Sequence, residues 1–205
     1  MQKVDKTRQS NIDQKADPID ENTKVQNNYR SLIPLAFGAG LLILFDQWTK
    51  NLVVENIPFL GTWLPENLAH FGAYFRIVHW RNSGAAFGMF SNGNAIFLIL
   101  AVIASIFIIA FYPLIEKREW SLRVAMVLQL GGALGNMIDR VRYGYVIDFI
   151  SVKDFPVFNV ADACISSGVA ILFLGVILQE IKSQKTKQQA MNITLAETTR
   201  TEEAE

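Results

Sequence analysis

The sequence predicts a mainly α-helical integral membrane protein, with four transmembrane helices and a small extracytoplasmic β-containing segment. Three observations carry that prediction. Hydrophobic residues make up 51% of the 205, and mean hydropathy is +0.23, apolar for a water-soluble domain. Charge is unevenly spread: 11 charged residues fall in 1–30, 8 in 182–205 and only 19 in the 151 residues between. Within that middle region, four apolar stretches are long enough to cross a bilayer.

The stretches divide the chain into a polar extension (1–30), a membrane domain (31–181) and a polar tail (182–205). The first span covers about 32–54: an apolar run from Leu32 to Phe45, then Asp46, with the helical pattern continuing through Lys50. Its basic flank loosely fits a cleaved leader, but three further spans follow, so it reads as a retained helix. The second span, 95–115, has no charge at all. The third, 121–138, carries only Arg123, and the fourth, about 162–180, is uncharged from Ala163 to Gln179. The tails show no apolar periodicity and are expected to be disordered.

Lys and Arg placement orients the spans. Lys15, Lys24, Arg30, Lys117, Arg118, Arg123, Lys182, Lys185 and Lys187 fall on one side; Lys50, Arg76, Arg81, Arg140, Arg142 and Lys153 are spread thinly over the other. Both termini are therefore expected in the cytoplasm. On the outer side, Tyr74–Arg81 is rich in aromatic and β-branched residues and reads as a strand, closed by the turn signal Asn82-Ser83-Gly84. Trp63, Tyr74 and Trp80 suit a headgroup-level aromatic belt.

This orientation brings the acids together. Asp46 and Asp139 end outward-running spans, Asp148 lies in the following outer loop, and Asp162 begins the fourth span. A carboxylate beside a long apolar stretch is costly to desolvate and marks a functional site by default. Asn136, Asp139 and Arg140 are spaced i, i+3, i+4 on one helix face, as are Asn159 and Asp162 at i, i+3. Asp162 falls in a first helical turn, where the helix dipole favours an anion. Two carboxyls close together cannot easily both ionise, so they share a proton. One can then activate water while the other protonates the amide being cleaved, the logic of an aspartic peptidase. Spacing alone favours Asp139 as one of the two.

Other classes are excluded or less favoured. Zero net charge argues against nucleic acid as a partner. A single cysteine, Cys164, allows no intrachain disulfide and reads as a small buried residue. No Cys/His grouping has metal-ligand spacing, so neither metal nor cofactor is expected. Ser166 and Ser167 lack a Lys or His partner nearby in sequence, against a serine peptidase. His70 and His79 read as interfacial polar residues, Gly131 and Gly135 as helix-packing positions, and Asp139–Arg140 as a structural ion pair. The main alternative is a small ion- or proton-coupled transporter with a carboxylate relay. Such sites usually sit at the bilayer midplane, whereas these acids lie at span ends. A non-catalytic assembly factor is a weaker third reading.

Five motifs in order sharpen the choice: Asp46-Gln47-Trp48-Thr49-Lys50, Asn82-Ser83-Gly84-Ala85-Ala86-Phe87-Gly88, Gly131-Gly132-Ala133-Leu134-Gly135-Asn136-Met137-Ile138-Asp139-Arg140, Val146-Ile147-Asp148-Phe149 and Phe158-Asn159-Val160-Ala161-Asp162. Over residues 31–181 the chain resembles the lipoprotein signal peptidases, or signal peptidase II family. That resemblance implies a bacterial inner-membrane aspartyl endopeptidase. Its substrates would be diacylglyceryl-modified prolipoproteins, cut just before the modified cysteine, with membrane lipids as the other partners and a monomer as the working form. It also implies the catalytic pair, Asp148 and Asp162, with Asp46, Asn82, Asn136, Asp139, Arg140, Asn159 and Ala161 supporting them. The polar extension of about 30 residues is longer than is usual for such enzymes, and the 13 residues between Asp148 and Asp162 are fewer.

The topology is directly testable. Reporter fusions at Gly93 and Lys153 should report the outer side of the membrane, and fusions at Lys117 and Lys185 the cytoplasm. A cytoplasmic signal at Lys153 would separate Asp148 from Asp46 and Asp162.

Overall fold

The computed structural model describes residues 21–84 and 93–202, with side chains outside 21–29, 190 and 193–202. Four long helices are joined by a three-stranded antiparallel sheet. In order they are α1 (Glu21–Asn56), β1 (Thr62–Trp63), β2 (Phe75–Asn82), α2 (Asn94–Phe111), α3 (Trp120–Tyr143), β3 (Val146–Val152) and α4 (Val160–Glu202). A short 3-10 helix, Glu66–Phe71, links β1 to β2. Each long helix contains an apolar stretch able to span a membrane: Arg30–Asn56, Asn94–Leu114, Trp120–Tyr143 and Val160–Gln189. The Ala85–Gly88 part of the second motif and the first 20 residues lie outside the described residues.

The helices leave many large apolar side chains exposed, among them Phe37, Leu41, Ile99, Ile106, Phe173 and Leu178. In water this would be unfavourable; against lipid tails it costs nothing, and the helices are held by close packing instead. Small residues make that packing possible. A Cβ on Gly131 would lie 2.8 Å from the Leu42 side chain, and one on Gly135 would lie 2.8 Å from Asp46 Oδ2. These two glycines therefore bring α3 against α1, in the packing role expected of them. Gly132 faces the other way, and a Cβ there would collide with the Ala161 carbonyl at the start of α4. Leu35, Ala39, Ile108, Tyr112 and Leu130 form the core towards one end of the bundle.

The sheet sits at the opposite end. Its core is Val53 and Ile57, at the end of α1, packed with Phe149 of β3. Strand β2 runs Phe75–Asn82, so it begins one residue later than expected and includes Asn82. The Asn82 side chain then makes the turn, its Oδ1 accepting the Gly84 N–H at 3.0 Å. Between Ile77 and Trp80 the β2–β3 register shifts by one residue, because β2 carries three steps where β3 carries two. That bulge decides facing. Side chains alternate along a strand, so without the extra residue Asn82 would point to the other side of the sheet.

Three expectations need correction. Asp148 lies within strand β3, not in a loop, because β2 pairs with that segment along its whole length. His79 is buried, not interfacial, with Nδ1 2.8 Å from the Ile57 carbonyl oxygen. And residues 21–30 and 182–202, expected in disordered tails, extend α1 and α4 as helix. Local composition forbids a core there but not a helix. Once a span is nucleated, each added residue costs little, and Gln184 bonding Glu180 and Gln188 bonding Asn192 support the extension.

Packing at the glycines gives a stability test. Gly132→Ala should destabilise the protein by about 1–3 kcal/mol through overpacking against Ala161. Gly40, with nothing within 4 Å of an added Cβ, should accept alanine with a gain of about 0.5–1 kcal/mol. Thermal unfolding of both variants in detergent would check the contrast; equal effects would refute the packing argument.

Candidate active site

The chain folds back so that β3 and the start of α4 touch. Phe149 and Ile150 N–H groups both donate to the Phe158 carbonyl, at 3.1 and 2.8 Å, and Phe158 N–H donates to the Ile150 carbonyl at 3.1 Å. This places Asn159, the residue before α4, directly beside Asp148. Asn159 caps the helix. Its Oδ1 accepts the Asp162 N–H at 2.9 Å, and Asp162 Oδ2 accepts the Asn159 N–H at 3.2 Å. This reciprocal arrangement is a capping box, with Asp in the place of the usual Glu.

The other end of the Asn159 side chain is committed too. Its Nδ2 donates to Asp148 Oδ1 at 2.7 Å and to Asn136 Oδ1 at 3.1 Å, with a longer contact to the Ile147 carbonyl. One buried amide thus bonds to Asp148 and, through its carbonyl oxygen, to the backbone of Asp162. Asn82 Nδ2 donates to Asp148 Oδ2 at 2.9 Å, and Asn136 Nδ2 to Asp162 Oδ1 at 2.7 Å. Each carboxyl oxygen of both acids therefore accepts at least one bond. Asp148 is fully buried, whereas Asp162 is half-buried and lines a cavity of about 780 Å³ between α2, α3 and α4. Asn82, Asn136 and Arg140 line the same cavity.

Burial pushes the Asp148 carboxyl up from its ordinary 3.8 to about 7. The neighbouring Asp162 charge pushes the same way, while the bonds from Asn82 and Asn159 and the Lys50 cation oppose it.

Beneath the pair lies a second layer. Lys50 Nζ sits 2.8 Å from Asp46 Oδ2, 2.8 Å from Asp139 Oδ2 and 3.0 Å from Asn136 Oδ1. All three of its donors are used, and it is 1% exposed. Asp46 Oδ1 accepts the Ala161 N–H at 2.9 Å, which ties α1 to the first turn of α4. Asp139 Oδ2 accepts the Ile147 N–H at 3.1 Å, which ties α3 to β3. Gln47 Nε2 closes the layer on Asp139 Oδ1 at 2.8 Å.

The structure thus brings together Asp46, Asn82, Asn136, Asp139, Asn159, Ala161, Asp148 and Asp162 in one connected network. Arg140 is beside it but not in the expected role. Among the described residues it forms no ion pair with Asp139; Nη1 donates to the Asn136 carbonyl at 3.4 Å and the guanidinium lies over the Phe97 ring. Asp139 is turned to Lys50 instead, because their spans pack face to face. Sequence reasoning missed Lys50 and Gln47 as site residues. The signal was present: Lys50 stands at i+4 from Asp46, where an acid–base pair shares a helix face. Cys164 is buried, as its size suggested.

Comparison with known proteins follows the same outline. The family model described as Signal peptidase (SPase) II matches residues 39–178. The lipoprotein signal peptidase of Moorella thermoacetica is 39% identical over 140 residues, covering 68% of this chain and 90% of that protein. That of Enterococcus faecalis is 36% identical over 162 residues, covering 77% and 96%. A solved structure described as a bacterial membrane enzyme, determined by the in meso method at 2.3 Å, is 30% identical with a TM-score of 0.65, covering 72% of this chain and 89% of that one.

The Asp148 value has a consequence for stability. Unfolded, this carboxyl loses its proton near 3.8; folded, it keeps it to about 7. Between those values the folded state binds the extra proton, so this group's contribution to stability falls as pH rises from about 4 to 7 and is level above that. Asp148→Asn should flatten that part of the curve. Thermal unfolding in detergent across the window would show it, and an unchanged slope would refute it.

Proposed function

Since this chain belongs to the signal peptidase II family, we propose that it is an aspartyl endopeptidase whose catalytic pair is Asp148 and Asp162. Its relatives are lipoprotein signal peptidases, and removal of signal peptides from prolipoproteins is its function. The cut falls just before the diacylglyceryl-modified cysteine. The observation that carries the aspartyl reading is the Asn159 side chain, which bonds Asp148 and the backbone of Asp162 at once, while Asp162 lines the cavity.

In this mechanism Asp148, with its raised proton affinity, holds the shared proton at rest. Asp162 is the ionised partner, favoured by the N-terminus of α4 and the Asn136 donor. Asp162 takes a proton from water as that water adds to the scissile carbonyl, and Asp148 delivers its proton to the carbonyl oxygen. Collapse of the tetrahedral intermediate returns a proton to Asp148's side of the pair and sends one to the departing nitrogen. Because the two acids are coupled, a rate profile reports the pair rather than either residue. Asn82 and Asn159 hold the Asp148 carboxyl in place, and Asn136 holds that of Asp162.

The surroundings are read accordingly. The protein is a multi-pass membrane protein. We place it in the bacterial inner membrane as a monomer, both termini cytoplasmic and the site at the outer face, so that substrate enters the cavity laterally among the membrane lipids. Residues 31–181 form the peptidase domain between a cytoplasmic extension and a cytoplasmic tail.

Asp148→Asn and Asp162→Asn should each abolish processing of a diacylglyceryl-modified prolipoprotein by purified protein, with expression and folding retained. Each carboxyl has a proton role an amide cannot fill, and the expected loss is at least about 100-fold. A metal chelator should leave the rate unchanged. Full activity in either variant would overturn the aspartyl assignment.

A further inference from the structure

The cavity beside the catalytic pair continues along the membrane-spanning helices, and its deep part is not uniformly apolar. On α3, Asn136, Ala133 and Gln129 line it in succession; on α4, Asp162, Ser166 and Val169 do so; α2 supplies an apolar wall from Phe97 to Ile108. Gln129 lies two turns below Asn136, about 10 Å along the helix axis. A glutamine at that depth is unfavourable unless its amide is satisfied. Among the described residues no hydrogen bond reaches it. Nor does one reach Ser166, although Ser105, on α2, donates to the Ala101 carbonyl of its own helix at 2.7 Å. The Gln129 stem is held in place: a Cβ on Gly168 of α4 would lie 2.8 Å from Gln129 Cγ, so glycine there lets the side chain cross α4 on its way to the cavity.

We infer that Gln129, with Ser166 lining the same cavity, is a positioning residue that hydrogen-bonds the unwound backbone of the signal peptide just before the scissile bond. This rests on the peptidase reading above and names what the cavity must supply for it. A peptide bond cannot be attacked inside a helix, so the segment leading to it must extend. Each residue that unwinds within the membrane exposes an N–H and a C=O with no water to receive them. A glutamine amide offers one acceptor and a donor pair, the complement of the N–H and C=O of one extended residue, which point the same way. An extended chain covers about 10 Å in three residues. Gln129 therefore meets the N–H and C=O of the residue about three before the cut. Its bonds form in bound substrate and in the transition state alike, so they lower KM more than they raise kcat.

The test uses purified full-length protein in detergent and diacylglyceryl-modified prolipoprotein peptides in which one backbone amide at a time, over the four residues before the cut, is replaced by an ester. Replacement near the third residue should lower kcat/KM of the native protein about five- to tenfold, mainly through KM. Gln129→Met, similar in size but without the amide, should show at least that loss on the all-amide peptide and no further loss with that ester. Additive losses would overturn the inference. So would non-additivity that appears only when the ester bonds of the diacylglyceryl group are changed to ethers, which would assign the Gln129 contact to the lipid. Failure of the native protein to cut the all-amide peptide would strike the peptidase reading itself, and this inference with it.

Discussion

The Lys50 ammonium, enclosed by Asp46, Asp139 and Asn136, is the interaction on which the rest of the site depends. Three spans and the sheet are tied through it. Asp46 belongs to α1 and bonds the backbone of α4; Asp139 belongs to α3 and bonds the backbone of β3. Buried ions of this kind add little net stability, because desolvation offsets most of the attraction. Their value here is geometric. Removing Lys50 would leave two buried carboxylates without a counter-charge, at a cost of about 3–5 kcal/mol, so the four elements are held in the relative placement that keeps it between them.

That fixed layer explains how two carboxyls can be held close together. Left alone, Asp148 and Asp162 would repel or relax apart. Instead each is bound by amide donors whose own positions are set from below: Asn136 by Lys50 and Asn159, and Asn159 by its capping bond to Asp162. Among the described residues, the direct donors to the pair are amides rather than cations. Amides support a carboxyl in either protonation state, whereas an adjacent cation would favour the ionised form.

The cavity and the packing share a cause. The glycines and alanines that let α3 approach α1 and α4 also keep that side of α3 low, leaving space beside Ala133 and Ala163 where larger residues would fill it. The cavity lies between α2, α3 and α4, with the apolar side chains of α2 as one wall. Close contact at one face and a gap at the next come from the same distribution of small side chains.

What could be read from the sequence was whatever depends on local chemistry and period. Four spans follow from the length of the apolar runs, because bilayer thickness sets a minimum. The gathering of Asp46, Asp139, Asp148 and Asp162 at one end of the bundle follows from alternation of those spans. The capping box at Asn159 and Asp162 is an i, i+3 relation within one helix. The motif set over residues 31–181 added the choice of Asp148, which spacing alone had not favoured. Only the tertiary structure decided that Asp139 pairs with Lys50 and not with its neighbour Arg140, since that depends on which faces of α1 and α3 meet across some 90 residues of chain. The same is true of Asn82, turned towards Asp148 by one extra residue in β2, and of Gln129, whose depth beside the cavity exists only once α2, α3 and α4 enclose it. Periodicity says which face of an element a residue occupies; what that face meets is set by long-range packing.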